Sequence, residues 1–479
     1  MSVGPAGLNA AHFQSRSQLV AFSSLLIVLT SCFLIGGSAR DDVASLMVLR
    51  PVLAGAVTVG ILCLTRCDVR NNRFTLIFCA MVVVLPLVHL LPLPPEFWSR
   101  LPGRAIVAKI AAAADLGPQW RPLSLAPAAT WNAFYASLVV PAVIIPGIHL
   151  RDAHRQMLLP ILLALGTGSV LLGLLQAAGP PDSSLYLYRV TNNGAQVGLF
   201  ANRNHQALLV AMMLPMLGVL SAQFIRGKPG ERVIGLALVG WSVALLPVLL
   251  LIGSRGGLLA GILALAALPL LVGNGASRQA RSVATPSQIL RHRILLAGGV
   301  TFVVVCSIVV GLTVLWGQGV AFDRLMSRAI GEDLRWRMIP TIVGMIVQYW
   351  PFGSGVGSFE KAFKISEPDA LLGPEYVNHA HNDWLELLAT TGIVGFIMLL
   401  LAAFALLARA RKEWRTVRSA GEAGHLLRLG YVLIGLIALS SLGDYPLRTP
   451  ALAAFFAVAV LWAGCPFELT RPMNALEKS

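Results

Sequence analysis

Long apolar stretches dominate this chain, and most polar residues lie between them. Stretches of about 18 to 25 mostly apolar residues are long enough to cross the hydrocarbon core of a bilayer, which is roughly 30 Å thick. We therefore predict an all-α polytopic membrane protein in which residues 1–479 form one integral membrane domain. Its twelve predicted spans are 18–39, 45–65, 74–93, 132–150, 157–178, 204–224, 233–252, 256–273, 294–316, 384–408, 426–442 and 449–465.

Composition agrees with this interpretation and excludes two classes of protein. The chain is 56% apolar and only 12% charged, and its mean hydropathy is +0.74. A soluble globular protein and a disordered chain are both excluded by these values. The six cysteines lie in or beside predicted spans, so neither a disulfide framework nor a metal cluster is expected. The N-terminal apolar run resembles a cleavable signal, but eleven further spans favour an uncleaved first helix.

The positions of arginine and lysine predict the orientation in the membrane. Basic residues are concentrated in alternate short loops, and such loops are cytoplasmic in most membrane proteins. Both termini are then cytoplasmic, and the exported face holds residues 94–131, 179–203 and a large loop at 317–383. The net charge of +15 is scattered over both membrane faces. We therefore expect membrane lipids, and no nucleic acid, as partners of the basic residues.

The large exported loop contains two recognisable patterns. Apolar residues recur at three- and four-residue spacing, which predicts an amphipathic helix that ends before Pro351 and lies in the membrane interface over the other helices. These residues are Trp336, Ile339, Ile342, Val343, Ile346, Val347 and Trp350. A glycine-rich turn follows at 352–359. In the first exported loop, residues 104–116 are predicted to form a short surface helix.

Two histidines precede the tenth predicted span, at the boundary between water and bilayer. Asp383 and Glu386 have the spacing of a capping box, which predicts that the helix starts there. His381 would then lie just outside a helix N-terminus, where the positive end of the helix dipole favours a neutral ring that can act as a general base. The alternative interpretation is a polar helix cap at the interface.

Three predicted spans begin with polar residues at the exported face: the sixth at 201–205, the eighth at 253–257 and the tenth at 379–383. Helix N-termini combined with arginines favour a phosphate or diphosphate site. Arg255 is the strongest candidate for binding the phosphate. It lies in a short turn that keeps it close to the bilayer, where an unpaired arginine is unfavourable in free energy. Arg255 could instead reach lipid headgroups, and Arg203 could belong to a helix cap. Arg335 and Arg337 could likewise contact headgroups, and His205 and His379 could be structural.

Taken in order, several of these segments resemble the O-antigen ligase and polymerase superfamily. The resemblance extends from Arg121 to Phe396. The segments that carry it are 121–130, 202–205, 254–257, Arg335, 351–359, 381–382 and 392–395.

The resemblance implies a metal-independent glycosyltransferase, without a cofactor, at the periplasmic face of a bacterial inner membrane. Such enzymes take a glycan from an undecaprenyl diphosphate carrier. Ligases pass it to the lipid A core or another acceptor, and polymerases pass it to the next repeat unit. The functional positions of the ligases fall here on Arg255, Arg335 and His381.

Other residues extend the candidate site, and two functional alternatives stay open. Arg203 and Arg337 are further candidates for diphosphate binding, with Arg337 competing with Arg335 for the role of the loop arginine. His379, Asn382 and Asn204 are secondary candidates. The sequence does not separate a ligase from a polymerase. A transporter or flippase of lipid-linked oligosaccharides is disfavoured, because transporters show internal repeats around a site at the membrane midplane.

Two roles are open for His381. It could take the proton from the acceptor hydroxyl as that oxygen attacks the anomeric carbon with inversion. It could instead hold a phosphate oxygen or position the acceptor.

Overall fold

The computed structural model describes residues 5–272, 330–373, 376–417 and 422–464. The regular secondary structure of this part of the chain is helical apart from a short antiparallel pair, β1 (Pro92–Leu93) with β2 (Arg121–Pro122). The helices are α1 Pro5–Ile35, α2 Leu46–Cys63, α3 Arg66–Asn71, α4 Arg73–His89, α5 Pro95–Trp98, α6 Ala105–Ala113, α7 Pro127–Ser137, α8 Val139–His149, α9 Asp152–Ala178, α10 Arg203–Ile225, α11 Pro229–Ile252, α12 Arg255–Val272, α13 Ile330–Tyr349, α14 Phe359–Ser366, α15 Asp383–Val417, α16 Glu422–Ser440 and α17 Pro450–Gly464.

The described helices agree with the hydropathy prediction. Eight helical stretches are long and apolar enough to cross a membrane, and α4, α16 and α17 are shorter apolar helices. Each predicted span overlaps one of these helices except 294–316, which lies outside the described residues. The total of twelve spans and the exported position of 317–383 stay predictions. The short surface helix predicted within residues 104–116 is confirmed as α6, which has no buried residue.

α10 is the central helix of the bundle. It packs against α9, α11, α12 and α16, and most of its side chains are buried. A helix that is apolar and buried all round has no membrane-facing side of its own. The buried Gln206 of α10 is satisfied by the hydroxyl of Ser169 in α9, which donates to its side-chain oxygen at 2.7 Å. α10 therefore fixes the positions of the helices around it.

α15 is interrupted at Gly392, whose φ of 59° and ψ of −142° are not helical. The glycine-rich turn fills this interruption. The backbone N–H of Ser354 donates to the carbonyl of Ala389 at 3.0 Å, and that of Gly355 donates to the carbonyl of Thr390 at 2.9 Å. From the other side, the N–H of Ile393 donates to the carbonyl of Pro351 at 2.9 Å. Polar backbone groups released by the break are thus satisfied by the turn.

The end of α4 and the segment that follows it hold the same turn from the opposite side. Buried Arg104 donates to the carbonyl of Gly353 at 3.0 Å and to that of Leu123 at 2.7 Å. The N–H of Val356 donates to a ring nitrogen of His89 at 3.0 Å. Because α13 leads directly into this turn, these contacts fix its C-terminal end against the first loop and α15.

The predicted helix in the large loop is confirmed as α13, and its buried face differs from the apolar stripe read from the sequence. Its buried side chains include Met338, Met345 and Tyr349, none of which belonged to the predicted apolar stripe. Of the seven positions in that stripe, Ile342 is the one that is fully buried. Trp336, Val343, Val347 and Trp350 are exposed. The buried face was decided by contacts with α14, Leu371 and Val377, which helical periodicity does not reveal.

The backbone of Gly392 generates a stability prediction. A Cβ at this position would lie 2.0 Å from the carbonyl oxygen of Pro351, and its φ and ψ are accessible essentially to glycine alone. We expect Gly392→Ala to destabilise the protein by about 1–3 kcal/mol, measured as a lower midpoint for heat-induced loss of monodisperse protein in detergent.

Gly344→Ala is the matched control. Gly344 lies within α13, and a Cβ there meets nothing within 4 Å. Alanine is also the better helix former, so this variant should be as stable as the wild type or more so. Equal midpoints for Gly392→Ala and Gly344→Ala would contradict the account of the break in α15.

Candidate functional site

His381 lies immediately before α15 in a left-handed backbone conformation, with φ of 50°. Its ring is partly exposed, and Nδ1 lies 3.8 Å from Oδ1 of Asp444. This distance is longer than a hydrogen bond. Asp444 belongs to the short turn between α16 and α17, so the contact joins two segments that are far apart in the sequence.

Asp444 is a buried carboxylate with two histidines and Arg335 as neighbours. Nε2 of His205, in the first turn of α10, lies 4.0 Å from the same oxygen of Asp444. Burial alone would raise the pKa of Asp444, but His381, His205 and Arg335 together hold that pKa well below its usual range. The side chain is therefore a carboxylate at any pH near neutrality.

The ring of Tyr445 packs among three histidines. Its centroid lies 4.5 Å from that of His379, 4.9 Å from that of His381 and 5.3 Å from that of His205. Burial and the neighbouring charge of Asp444 raise the pKa of Tyr445 to about 12. Tyr445 is therefore a neutral phenol under ordinary conditions, and its ring holds the imidazoles in place.

A second cluster of polar side chains surrounds Glu386 and contacts His379. The buried Glu386 lies in the first turns of α15, and its carboxylate accepts from the backbone N–H of Ala380 at 2.9 Å. Nδ1 of His379 lies 3.1 Å from this carboxylate, and Arg448 lies 3.3 Å from it. Arg448 also donates to Asp383 at 3.0 Å. This network ties the segment containing the histidines to the α16–α17 turn.

The helix start at Asp383 is confirmed, but the predicted capping box is wrong. The cap is Asn382, whose side-chain oxygen accepts from the backbone N–H groups of Trp384 and Leu385, each at 3.1 Å. Asp383 and Glu386 are used in tertiary contacts instead. Their partner Arg448 satisfies both carboxylates, which explains why the local capping pattern does not form.

The two arginines of α13 have different surroundings. Arg335 donates to the carbonyl of Gly443 at 2.9 Å, next to Asp444. Arg337 donates to the carbonyl of Ala370 at 2.6 Å, within the large loop. Arg335 thus lies with the histidines and Asp444, and Arg337 is held by a different segment.

Arg203 and Arg255 lie at the N-termini of two adjacent helices, α10 and α12. The hydroxyl of Ser254 donates to the side-chain oxygen of Asn204 at 2.9 Å, which joins the two helix starts. The side chain of Asn202 caps α10 by accepting from the backbone N–H of Asn204 at 2.9 Å. Arg255 directly follows Ser254 and is exposed. Arg203 starts the helix turn that also carries His205.

Sequence reasoning missed the α16–α17 turn altogether. Asp444, Tyr445 and Arg448 lie there, in a turn of a few residues between two apolar helices. The argument that singled out Arg255 applies equally to them, because charged groups so close to a bilayer need partners. The signal was therefore present, but the partners themselves, His381 and Glu386, lie about sixty residues earlier in the chain.

Part of this chain matches a known protein family. Residues 240–400 match the family model described as O-antigen ligase. This range includes Arg255, Arg335 and His381, whereas Arg203 and Asp444 lie outside it. A search of curated proteins found no match. The O-antigen ligase match over residues 240–400 confirms that this chain is similar to the O-antigen ligase and polymerase superfamily.

Proposed function

We propose that this protein is a membrane glycosyltransferase of the O-antigen ligase type. It would transfer a glycan from an undecaprenyl diphosphate carrier to an acceptor hydroxyl, at the periplasmic face of a bacterial inner membrane. The observation that carries the proposal is the cluster formed by His381, Asp444 and Arg335, two members of which lie in the region matching O-antigen ligases. The cluster lies at one end of the helix bundle, which favours chemistry at a membrane surface over transport.

Donor binding is assigned to the arginines. In this proposal Arg335 and Arg255 contact the diphosphate, with Arg203 nearby and the N-termini of α10 and α12 adding partial positive charge. Negative charge develops on the diphosphate as the glycosidic bond breaks, and preorganised cations stabilise that charge. Guanidinium groups can provide this stabilisation without a divalent ion.

His381 is assigned as the base that activates the acceptor. The carboxylate of Asp444 faces Nδ1, which favours the tautomer with a proton on Nδ1 and a basic Nε2. Nε2 would take the proton of the acceptor hydroxyl as its oxygen forms a bond to the anomeric carbon. The bond from that carbon to the diphosphate oxygen breaks, and its electrons leave with the lipid diphosphate. The gap of 3.8 Å would shorten to a hydrogen bond when substrates are bound.

Purified protein in detergent tests the proposal directly. Given a lipid-diphosphate-linked glycan and a lipid acceptor, the protein should release lipid diphosphate and form a glycosylated acceptor. Detergent removes the second compartment, so a transporter would leave the donor intact. In a deletion strain, an acceptor left unmodified would indicate a ligase, and single repeat units on the acceptor would indicate a polymerase.

Arg335 and Arg337 provide a matched pair of variants. Arg335→Ala should lose about 100- to 1000-fold in turnover, as expected for removal of one preorganised electrostatic group. Arg335→Lys should restore little, because a point charge does not replace the guanidinium fork. Arg337→Ala should remain close to the wild type. Equal losses in Arg335→Ala and Arg337→Ala, at equal protein levels, would refute the specific role of Arg335.

His381 and His379 form a second pair. His381→Ala should lose roughly 100- to 10,000-fold in turnover, the usual contribution of a positioned base, while donor affinity is largely kept. His379→Ala should lose less turnover, since its contact with Glu386 is structural. Turnover and donor affinity are measured over a pH series for both variants. If His381→Ala binds donor poorly and keeps the pH profile of the wild type, His381 is a phosphate ligand.

A further inference from the structure

A cavity of about 430 Å³ lies at the exported end of α1. It is open to the surface on one side and is lined by α1, by the α1–α2 loop (residues 36–45) and by residues 187–190 of the second exported loop. Its volume is within the range of small-molecule and lipid cavities in proteins. We call it the α1–α2 cavity.

One wall of the α1–α2 cavity continues an exposed apolar stripe. Val20, Ile27 and Leu34 of α1 are 50%, 56% and 50% exposed, and their seven-residue spacing places them on one side of the helix. Large apolar side chains exposed on a membrane-spanning helix contact lipid hydrocarbon. Leu34 is also part of the cavity wall. A hydrocarbon chain lying along α1 would therefore pass from the bilayer directly into the cavity.

The polar edge of the α1–α2 cavity carries an excess of positive charge. Arg40 binds Asp42 through two hydrogen bonds, at 2.8 and 2.7 Å. The guanidinium of Arg189 lies 3.7 Å from the same carboxylate, and its side chain is 88% exposed. Two arginines thus share one carboxylate. Because Asp42 is already bound on both oxygens by Arg40, the donors of Arg189 can bind an anion at the cavity entrance.

The α1–α2 cavity is separate from the proposed catalytic cluster. Gly37 lies between them, and a Cβ added there would lie 1.9 Å from the carbonyl oxygen of Leu199. Behind this contact, the ring of Phe200 packs 6.2 Å from that of His205. Tightly packed backbone therefore divides the two sites.

We propose that the α1–α2 cavity binds one phosphorylated lipid of the exported leaflet, with a hydrocarbon chain against Leu34 and Leu187 and the phosphate on Arg189. The apolar walls would contact the hydrocarbon chain of the lipid. Arg189 would bind the anionic headgroup, because Arg40 already occupies both oxygens of Asp42. The assignment is independent of the proposed transferase reaction. It predicts a lipid that remains with the protein whether or not donor and acceptor are present.

Photoreactive lipids in nanodiscs of phosphatidylcholine test this proposal. One probe is phosphatidic acid with a photoreactive chain, and the other is diacylglycerol with the same chain and no phosphate. Adducts are mapped by mass spectrometry. Phosphatidic acid should label Leu34 and Leu187 about two- to fivefold more than diacylglycerol does, the usual effect of one ion pair at an exposed arginine. The two probes should label Ile27, on the lipid-facing stripe, equally.

Variants separate the contributions of headgroup and chain. Arg189→Ala should remove the preference for phosphatidic acid, whereas Arg100→Ala, which changes an exposed arginine of the first exported loop, should keep it. Leu187→Trp, which fills the cavity, should reduce labelling of Leu34 by both probes. Equal labelling of Leu34 and Ile27 by both probes in the wild type would overturn the proposal. Loss of the labelling in millimolar inorganic phosphate would also overturn it, because the site would then recognise free phosphate.

Discussion

The ion pair between the buried Glu386 and the partly buried Arg448 is the interaction on which the candidate site depends. It links the start of α15 to the α16–α17 turn, and Asp383, His379 and the backbone of Ala380 complete its hydrogen bonds. Removing one partner of such a pair typically costs about 3–5 kcal/mol, because the other charge is left buried and uncompensated. Together with the hydrogen bonds that Asp383 and Asn382 donate to the carbonyls of Ser441 and Leu442, at 3.0 Å each, this pair holds the turn of Asp444 and Tyr445 against the start of α15.

A second constraint is the irregular backbone around the break in α15. The break at Gly392 exposes carbonyl groups that the glycine-rich turn satisfies. Arg104, which lies between α5 and α6, holds this turn by donating to the carbonyl of Gly353. α13 ends at this turn and carries Arg335 at its other end. The positions of Arg335 and His381 therefore both depend on the packing of the turn against α15.

The sequence predicted those features that depend on local pattern. Hydropathy located the described apolar helices, and the family-like segments pointed to His381, Arg255 and Arg335. Features set by tertiary contacts were missed or wrong. The capping pattern at Asp383 was displaced by Arg448, and the packed face of α13 followed Met338 and Met345. Asp444 was overlooked because its partner His381 is more than sixty residues away, and no periodicity relates residues at that separation.

Asp444 is proposed to act on catalysis through His381, and a double-mutant cycle of these two residues tests this most directly. Turnover is measured at saturating donor for the wild type, His381→Ala, Asp444→Asn and the double variant, with folding checked for each. Residues that act as one unit show strongly non-additive losses. We predict that Asp444→Asn lowers turnover substantially in the wild type and has little further effect once His381 is alanine. Losses that multiply independently would contradict the account.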